Sequence, residues 1–236
     1  MALTHAIILA GGEGKRLRPH TDRKPKPLVE VGGKPIMAYQ LDQLKKARVK
    51  NLVIACSYKK EVLIEYLTGN GYGFDHISFS VEETPLGRGG GIKQAMKFLP
   101  ADWEQVIVAN GDNLWKFNIE AMVKKHQERN AIATVLLVKL KSPYGIVEVN
   151  DQDEIETFQE KPILPHWLNA GVYIFSREIE PLLPNIGDHE DQTFPKLPKE
   201  RFIAFKSEGY WKAVDTVKDL EEAEKEVREI FSLSMG

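Results

Sequence analysis

A single cysteine, Cys56, occurs in 236 residues. It lies in an apolar run, so neither a disulfide framework nor a cysteine-held metal cluster can be built from this chain. No run of about 18 apolar residues occurs, which excludes a membrane-spanning helix. The opening Met-Ala-Leu-Thr-His lacks the basic and apolar regions of a secretory signal, and a cytoplasmic location is the expectation. Neither sign of charge dominates. The formal net charge is −2, so no global field favours nucleic acid or an anionic membrane surface. Internal repeats and low-complexity tracts are also missing. What remains, 42% hydrophobic and 28% charged, suits one globular unit with ample core.

The most informative stretch starts with five apolar residues, Ala6 to Ala10, which read as a strand buried on both faces of a parallel sheet. The chain breaks at Gly11, Gly12 and Gly14 and continues into Lys15, Arg16 and Arg18. Glycines accept positive φ and let backbone N–H groups converge on an anion, and basic side chains directly after such a turn add charge. The pattern implies a phosphate site; solvated basic residues on an ordinary strand-to-helix turn are the plainer reading. Two known glycine motifs are not matched. Leu17 stands where the dinucleotide fingerprint needs its third glycine, and Arg16 follows Gly14-Lys15 where a P-loop needs Ser or Thr.

Downstream, strands and helices alternate. Helices are predicted over residues 35–49, 61–67 and 93–98, and strands over 52–56, 77–81 and 106–109, with a glycine-rich loop at 69–73. The rhythm argues for a doubly wound α/β sheet, in which ligands sit at the carboxyl ends of the strands. Glu82 to Ile92 holds four glycines in five positions, a backbone that a flat ligand can approach closely. Asp112 follows the strand 106–109, well placed either to hold Mg²⁺ through a hard oxygen or to cap the next helix. After a helix at 119–129 and a strand at 133–138, residues 144–160 read as a hairpin. Strands at 172–175 and 202–205, a short helix at 177–183 and a charged closing helix at 218–230 complete the chain.

The order G-G-x-G-x-R-L-x-P, a spacer, then K-P-x-x-x-V-x-G-K-P runs from Gly11 to Pro35. It resembles the signature of the sugar-1-phosphate nucleotidyltransferases, which join a nucleoside triphosphate to a sugar 1-phosphate and release pyrophosphate. The resemblance covers Ala6 to about Glu224. It implies a Rossmann-like nucleotidyltransferase fold with a mainly parallel sheet and an inserted β-rich sugar-binding half. The whole chain would be one domain, with residues 1–140 mainly nucleotide-binding and 141–236 mainly sugar-phosphate-binding. By resemblance, Leu9, Ala10, Gly11, Gly12, Gly14, Lys15 and Arg16 hold the nucleotide, and Lys26 contacts phosphate. The Glu82-to-Gly90 stretch resembles the family's second nucleotide segment, which implies nucleotide contacts at Glu82, Pro85, Leu86, Gly87, Gly89, Gly90 and, after the strand 106–109, Gly111. Glu82 and Glu83 are the residue types that accept from a guanine N1–H and amino group; both are equally open to plain solvation. Arg88 stands where relatives often carry threonine, as a phosphate contact or a surface charge.

Asp112 matches the family's catalytic Mg²⁺ ligand. The ordered triplets Tyr144-Gly145, Glu160-Lys161-Pro162 and Asn169-Ala170-Gly171 resemble its sugar-phosphate half. Lys161 would then meet the phosphate and Glu160 and Asn169 the hydroxyls, with Asn110, Gly145 and Gly171 beside them. Glu190 to Pro195 resembles a segment of mannose-1-phosphate guanylyltransferases, which favours GTP over the uridylyl and thymidylyl alternatives. One departure stands out. The family's W-x-D reads Trp211-Lys212-Ala213, so the second metal aspartate is missing, and Asp215 is expected to replace it from the same face of a strand. The expected activity is Mg²⁺-assisted attack by a sugar 1-phosphate on the α-phosphate of GTP, with Arg16, Lys26, Asp112 and Lys161 catalytic. The rival is a catalytically silent, nucleotide-sugar-binding regulatory subunit; a dinucleotide oxidoreductase is a distant third. Self-association of the chain is left open.

Overall fold

The apolar run after Thr4 becomes the strand β1 (His5–Ala10), directly beside the middle strand of a seven-stranded sheet. The computed structural model describes residues 3–232. On one side of β1 lies β4 (Asn51–Cys56), then the edge strand β5 (His76–Val81); on the other lies β6 (Gln105–Asn110), all parallel. Connections between these strands run through α1 (Ile36–Lys46), α2 (Lys60–Gly69) and α3 (Gly87–Met96). A tiny hairpin, β2 (Glu30–Val31) with β3 (Lys34–Pro35), precedes α1. Both faces of the central strands are covered, which is why β1, β4 and β6 read as continuous apolar runs rather than alternating ones.

Beyond β6 the sheet changes direction. The strand β8 (Ala133–Lys141) and the long β11 (Ile163–Ser176) are antiparallel to each other, and β11 also runs antiparallel to β6; β12 (Phe202–Lys206) closes the edge parallel to β8. The expected strand at 172–175 is therefore only the end of a 14-residue strand. Its Asn169-Ala170-Gly171 segment lies inside it, at a register shift between Asn169 and Tyr173, with Gly171 at φ 68°. A left-handed glycine in a bulge hides a strand from period counting. The predicted hairpin is present as β9 (Ile146–Val149) and β10 (Ile155–Gln159), standing apart from the main sheet and exposed throughout.

Two apolar layers sandwich the sheet. One packs α1, α2 and α4 (Ile119–Glu128) against Ile8, Ile54, Ala109 and Val172. The other packs α3 and the segment around α5 (His189–Gln192) against Ile7, Val108, Tyr173 and Phe175. A third cluster seats the closing helix α6 (Val217–Ser232) through Leu220, Ala223 and Val227 on Val31, Ile36 and Tyr39. The short helix expected at 177–183 is a 3₁₀ helix over Arg177–Leu182, with Pro181 inside it. A further pair escaped the sequence reading: β7 (Asn113–Lys116) with β13 (Tyr210–Ala213), joined antiparallel.

Candidate active site

A cleft of about 870 Å³ opens at the carboxyl ends of β1, β4 and β6, the position that open α/β sheets use for ligands. Its floor is the glycine turn. Gly14 sits at φ 61°, where a Cβ would come within 2.9 Å of Thr21 Cγ2 and 3.1 Å of Lys26 Cβ. The Thr21 hydroxyl donates to the Gly14 carbonyl at 2.9 Å and the Ser57 hydroxyl to the Gly11 carbonyl at 2.8 Å. The turn is thus pinned from two sides, and Gly12 faces open space.

The expected nucleotide residues Leu9, Ala10, Gly11, Gly12, Gly14, Lys15, Arg16, Glu82, Pro85 and Gly87 line this cleft, together with Lys26, Asn110, Asp112 and Asp215. Glu13, Pro27, Ala55, Ser57, Tyr58 and Arg88 line it as well. Ser57 and Tyr58 went unnoticed in the sequence, although they directly follow β4 and the strand-end rule points there.

At the mouth of the cleft the charges converge. The buried Lys26 places its ammonium 2.7 Å from Asp112 Oδ2 and 2.6 Å from Asp215 Oδ1, and the Arg16 guanidinium lies 3.2 Å from the same Asp215 oxygen. Burial works against a charged Asp215, but Lys26 and Arg16 more than offset it and hold the carboxyl below its usual range. Two chain segments deliver the pair. In the β7–β13 ladder Ala213 sits opposite Asn113, so the strand ends beside Asp112. Contrary to the expectation from its spacing, Asp215 does not lie on that strand but in the turn before α6. There the Asp219 carboxylate accepts from the Asp215 and Thr216 N–H groups, while the Thr216 hydroxyl accepts from the Asp219 N–H in return. That reciprocal cap fixes the turn.

Among the described residues, no group of three or more His, Cys, Asp or Glu side chains could hold a metal. The two carboxylates nevertheless already embrace a cation, the Lys26 ammonium. Such a pair suits a hard divalent ion whose remaining ligands are phosphate oxygens and waters. Cys56 is no candidate, since it is buried and burial pushes its thiol up to about 11.

Several other expected residues lie outside the cleft lining. Gly89 and Gly90 do not line the cleft. A Cβ on Gly89 would meet His189 N at 2.7 Å, and one on Gly90 would meet Asn185 O at 2.5 Å. Their N–H groups donate to the Gly187 carbonyl at 2.8 and 3.2 Å. These glycines let the 185–189 segment lie on α3, rather than a flat ligand. Leu86 likewise accepts from the Gly187 N–H through its carbonyl. Gly111 lies under β1, where a Cβ would come within 2.7 Å of Leu9 O, and Gly171 presses on the Asn110 amide. Glu83 pairs with Lys60 at 3.4 Å on the surface, whereas Glu82 accepts from the Leu86 N–H and keeps Oε1 toward Gly11 and Gly91. Gly145, Glu160 and Lys161 lie on the exposed hairpin and its exit, outside the cleft lining. Asn169 is exposed within β11 and tied to Tyr173 and Glu190.

The mixed sheet, the glycine turn and the carboxylate–ammonium cluster define a nucleotide-handling α/β protein. The family model described as "Nucleotidyl transferase" matches residues 5–230, and the chain belongs to that family. It is 39% identical over 222 residues to a mannose-1-phosphate guanyltransferase of Yarrowia lipolytica, which covers 90% of this chain and 61% of that one. The corresponding guanyltransferase of Schizosaccharomyces pombe is 34% identical, over 91% and 61%. The chain therefore spans about three fifths of the length of these relatives. Among solved structures, HddC from Yersinia pseudotuberculosis complexed with GMP-PN superposes with a TM-score of 0.75 at 25% identity, covering 94% of this chain and 99% of that one. No helix among the described residues is long and apolar enough to cross a membrane.

Proposed function

We propose that this chain is a sugar-1-phosphate guanylyltransferase, converting GTP and a sugar 1-phosphate into a GDP-sugar and pyrophosphate. The convergence of Asp112, Asp215, Lys26 and Arg16 beside the glycine turn carries the reading. Guanine is favoured by the guanyltransferase relatives, by the GMP-PN complex of HddC and by the Glu82 carboxylate among the cleft's lining residues.

In this reading the glycine turn and the cations Lys15, Arg16 and Lys26 hold the triphosphate. Arg16 and Lys26 neutralise charge on the departing pyrophosphate, so catalysis is mainly positioning and electrostatics. Asp112 and Asp215 hold Mg²⁺, which when bound neutralises and orients phosphate oxygens. The sugar phosphate is already ionised and needs no general base. Lys161, on the exit of the hairpin, carries the counter-charge for it, while Glu160 and Asn169 read hydroxyls beside Asn110, Gly145 and Gly171. The chain up to about residue 140 serves mainly nucleotide binding and the part after it mainly sugar-phosphate binding, within one domain.

The test is pyrophosphate release in the presence of Mg²⁺, with each of GTP, UTP, dTTP, CTP and ATP against a panel of sugar 1-phosphates. Turnover with GTP and one sugar is the expected result. Turnover confined to UTP or dTTP overturns the base assignment. Binding of a nucleotide sugar without turnover of any pair overturns the catalytic reading in favour of a regulatory subunit.

A further inference from the structure

Arg88 lines the nucleotide cleft, and its guanidinium is engaged by the segment around α5. Its Nε and one terminal nitrogen lie 3.3 Å from the Asp188 carboxylate, and that terminal nitrogen is 2.7 Å from Glu190 Oε2. The Arg88 backbone N–H also donates to Asp188 at 2.9 Å. Glu190 spends its other oxygen, Oε1, on two donors: the Asn169 amide at 2.8 Å and the hydroxyl of the fully buried Tyr173 at 2.8 Å. The Asn169 amide donates as well to the Tyr173 hydroxyl at 3.0 Å, and its carbonyl oxygen accepts from the Gly171 N–H at 2.9 Å.

A primary amide has two N–H donors and an oxygen with two lone pairs. Here both donors are consumed inside the protein, so Asn169 can offer an incoming ligand only the second lone pair of its oxygen. Glu190 fixes that orientation because its carboxylate accepts and never donates. Arg88 holds Glu190 in place with a charge-assisted bond, and the fork of one guanidinium is what reaches Asp188 and Glu190 together. The bare glycines at 87, 89 and 90 let segment 185–189 come close enough for the fork to close.

We propose that Arg88 is a positioning residue for the sugar half: acting through Glu190, it sets Asn169 as an obligate acceptor for a sugar hydroxyl. This rests on the assignment of Asn169 to sugar binding under the proposed function. It makes the sugar site depend on a residue that belongs to the nucleotide segment.

The test compares Arg88→Ala, Arg88→Lys, Glu190→Gln and the double variant Arg88→Ala/Glu190→Gln in the steady state, with GTP binding measured separately by calorimetry. Expected for Arg88→Ala is a rise of about tenfold in KM for the sugar 1-phosphate and a GTP dissociation constant within twofold of the parent. Arg88→Lys should behave like Arg88→Ala, since an ammonium cannot bridge both carboxylates, and the double variant should be no worse than the poorer single one. A weakened GTP affinity that lysine restores would make Arg88 a plain phosphate contact and overturn the proposal. So would an unchanged KM in an active protein. Should the parent turn over no pair at all, the proposed function itself fails. Hydrogen exchange then reads the latch alone: faster exchange over residues 185–193 in Arg88→Ala upholds it, and unchanged exchange refutes it.

Discussion

Replacing Lys26 by methionine removes a buried ammonium that two carboxylates share. The partner oxygens lie 2.7 and 2.6 Å from its nitrogen, so without it the two carboxylates face each other at no more than about 5 Å. Two like charges at that range repel by about 3 kcal/mol at an effective dielectric of 20. Each aspartate side chain is more than a third exposed or close to it, at 39% and 34%, and solvent screening lowers the figure to about 1–2 kcal/mol. Loss of the hydrogen bonds from a buried cation adds about 1 kcal/mol. A total of about 2–3 kcal/mol corresponds to a fall in Tm of roughly 5–10 °C for a chain of this size. The informative part is the rescue. Without its ammonium the pair is an open cation site, and Mg²⁺ at ten times its Kd returns about 1.4 kcal/mol. In the parent the same ion must first displace Lys26 and raises Tm less. Differential scanning fluorimetry of both proteins over a Mg²⁺ series, with Ca²⁺ as a second probe, reads this directly. Should Lys26→Met fail to fold, Lys26→Met/Asp215→Asn removes the repulsion and recovers the protein. Equal Mg²⁺ shifts in the parent and the variant would refute the assignment of these carboxylates to a metal, whatever the loss of turnover.

Asp215→Asn should raise the Mg²⁺ concentration for half-maximal pyrophosphate release about tenfold, whereas Ala213→Asp should move it less than threefold, because Asp215 already occupies the cation's side; the reverse order would restore the family's usual position as the working one. Acid stability has a sign fixed by two histidines. His126, between Thr134 and Ser176, and His189, with both ring nitrogens unpartnered, are each pushed down to about 4 by burial. The unfolded chain takes up protons near pH 6.5 that the folded one refuses, so stability is lost as pH falls from about 6.5 toward 4, by on the order of 3 kcal/mol per histidine at most. His189→Leu should flatten that slope in urea melts between pH 7 and 4.5, and an unchanged slope would contradict its buried neutral state.

The central strands were legible because two-sided burial writes itself as an uninterrupted apolar run, and the glycine turn because positive φ needs glycine at Gly14. Three things were hidden by distance along the chain. The β7–β13 ladder joins residues about a hundred positions apart, and only that pairing brings the chain around Asp215 back beside Asp112. The glycines of α3 looked like a ligand platform, since nothing local says that Gly187 and Asn185 will lie across them. The sugar triplets kept their order, but order does not say that Asn169 sits inside β11 with its amide donors already spent, or that Glu160 and Lys161 stand on an exposed hairpin. Glu82 and Glu83 stayed equally open for a plainer reason: adjacent acidic residues look alike in sequence, and only the fold pairs Glu83 with Lys60.

The hydrogen bond from Lys26 to Asp215 spans 189 residues of chain, and the turn that carries Asp215 is held by the cap and packing of α6. During synthesis, therefore, the glycine turn, Lys26 and Asp112 are all made long before the carboxylate that completes them. A growing chain can shape the glycine turn early, yet the cluster of Lys26 with its two carboxylates stays half-built until the last helix docks on Val31 and Tyr39. Docking of that helix is thus the step that separates a folded sheet from a finished site.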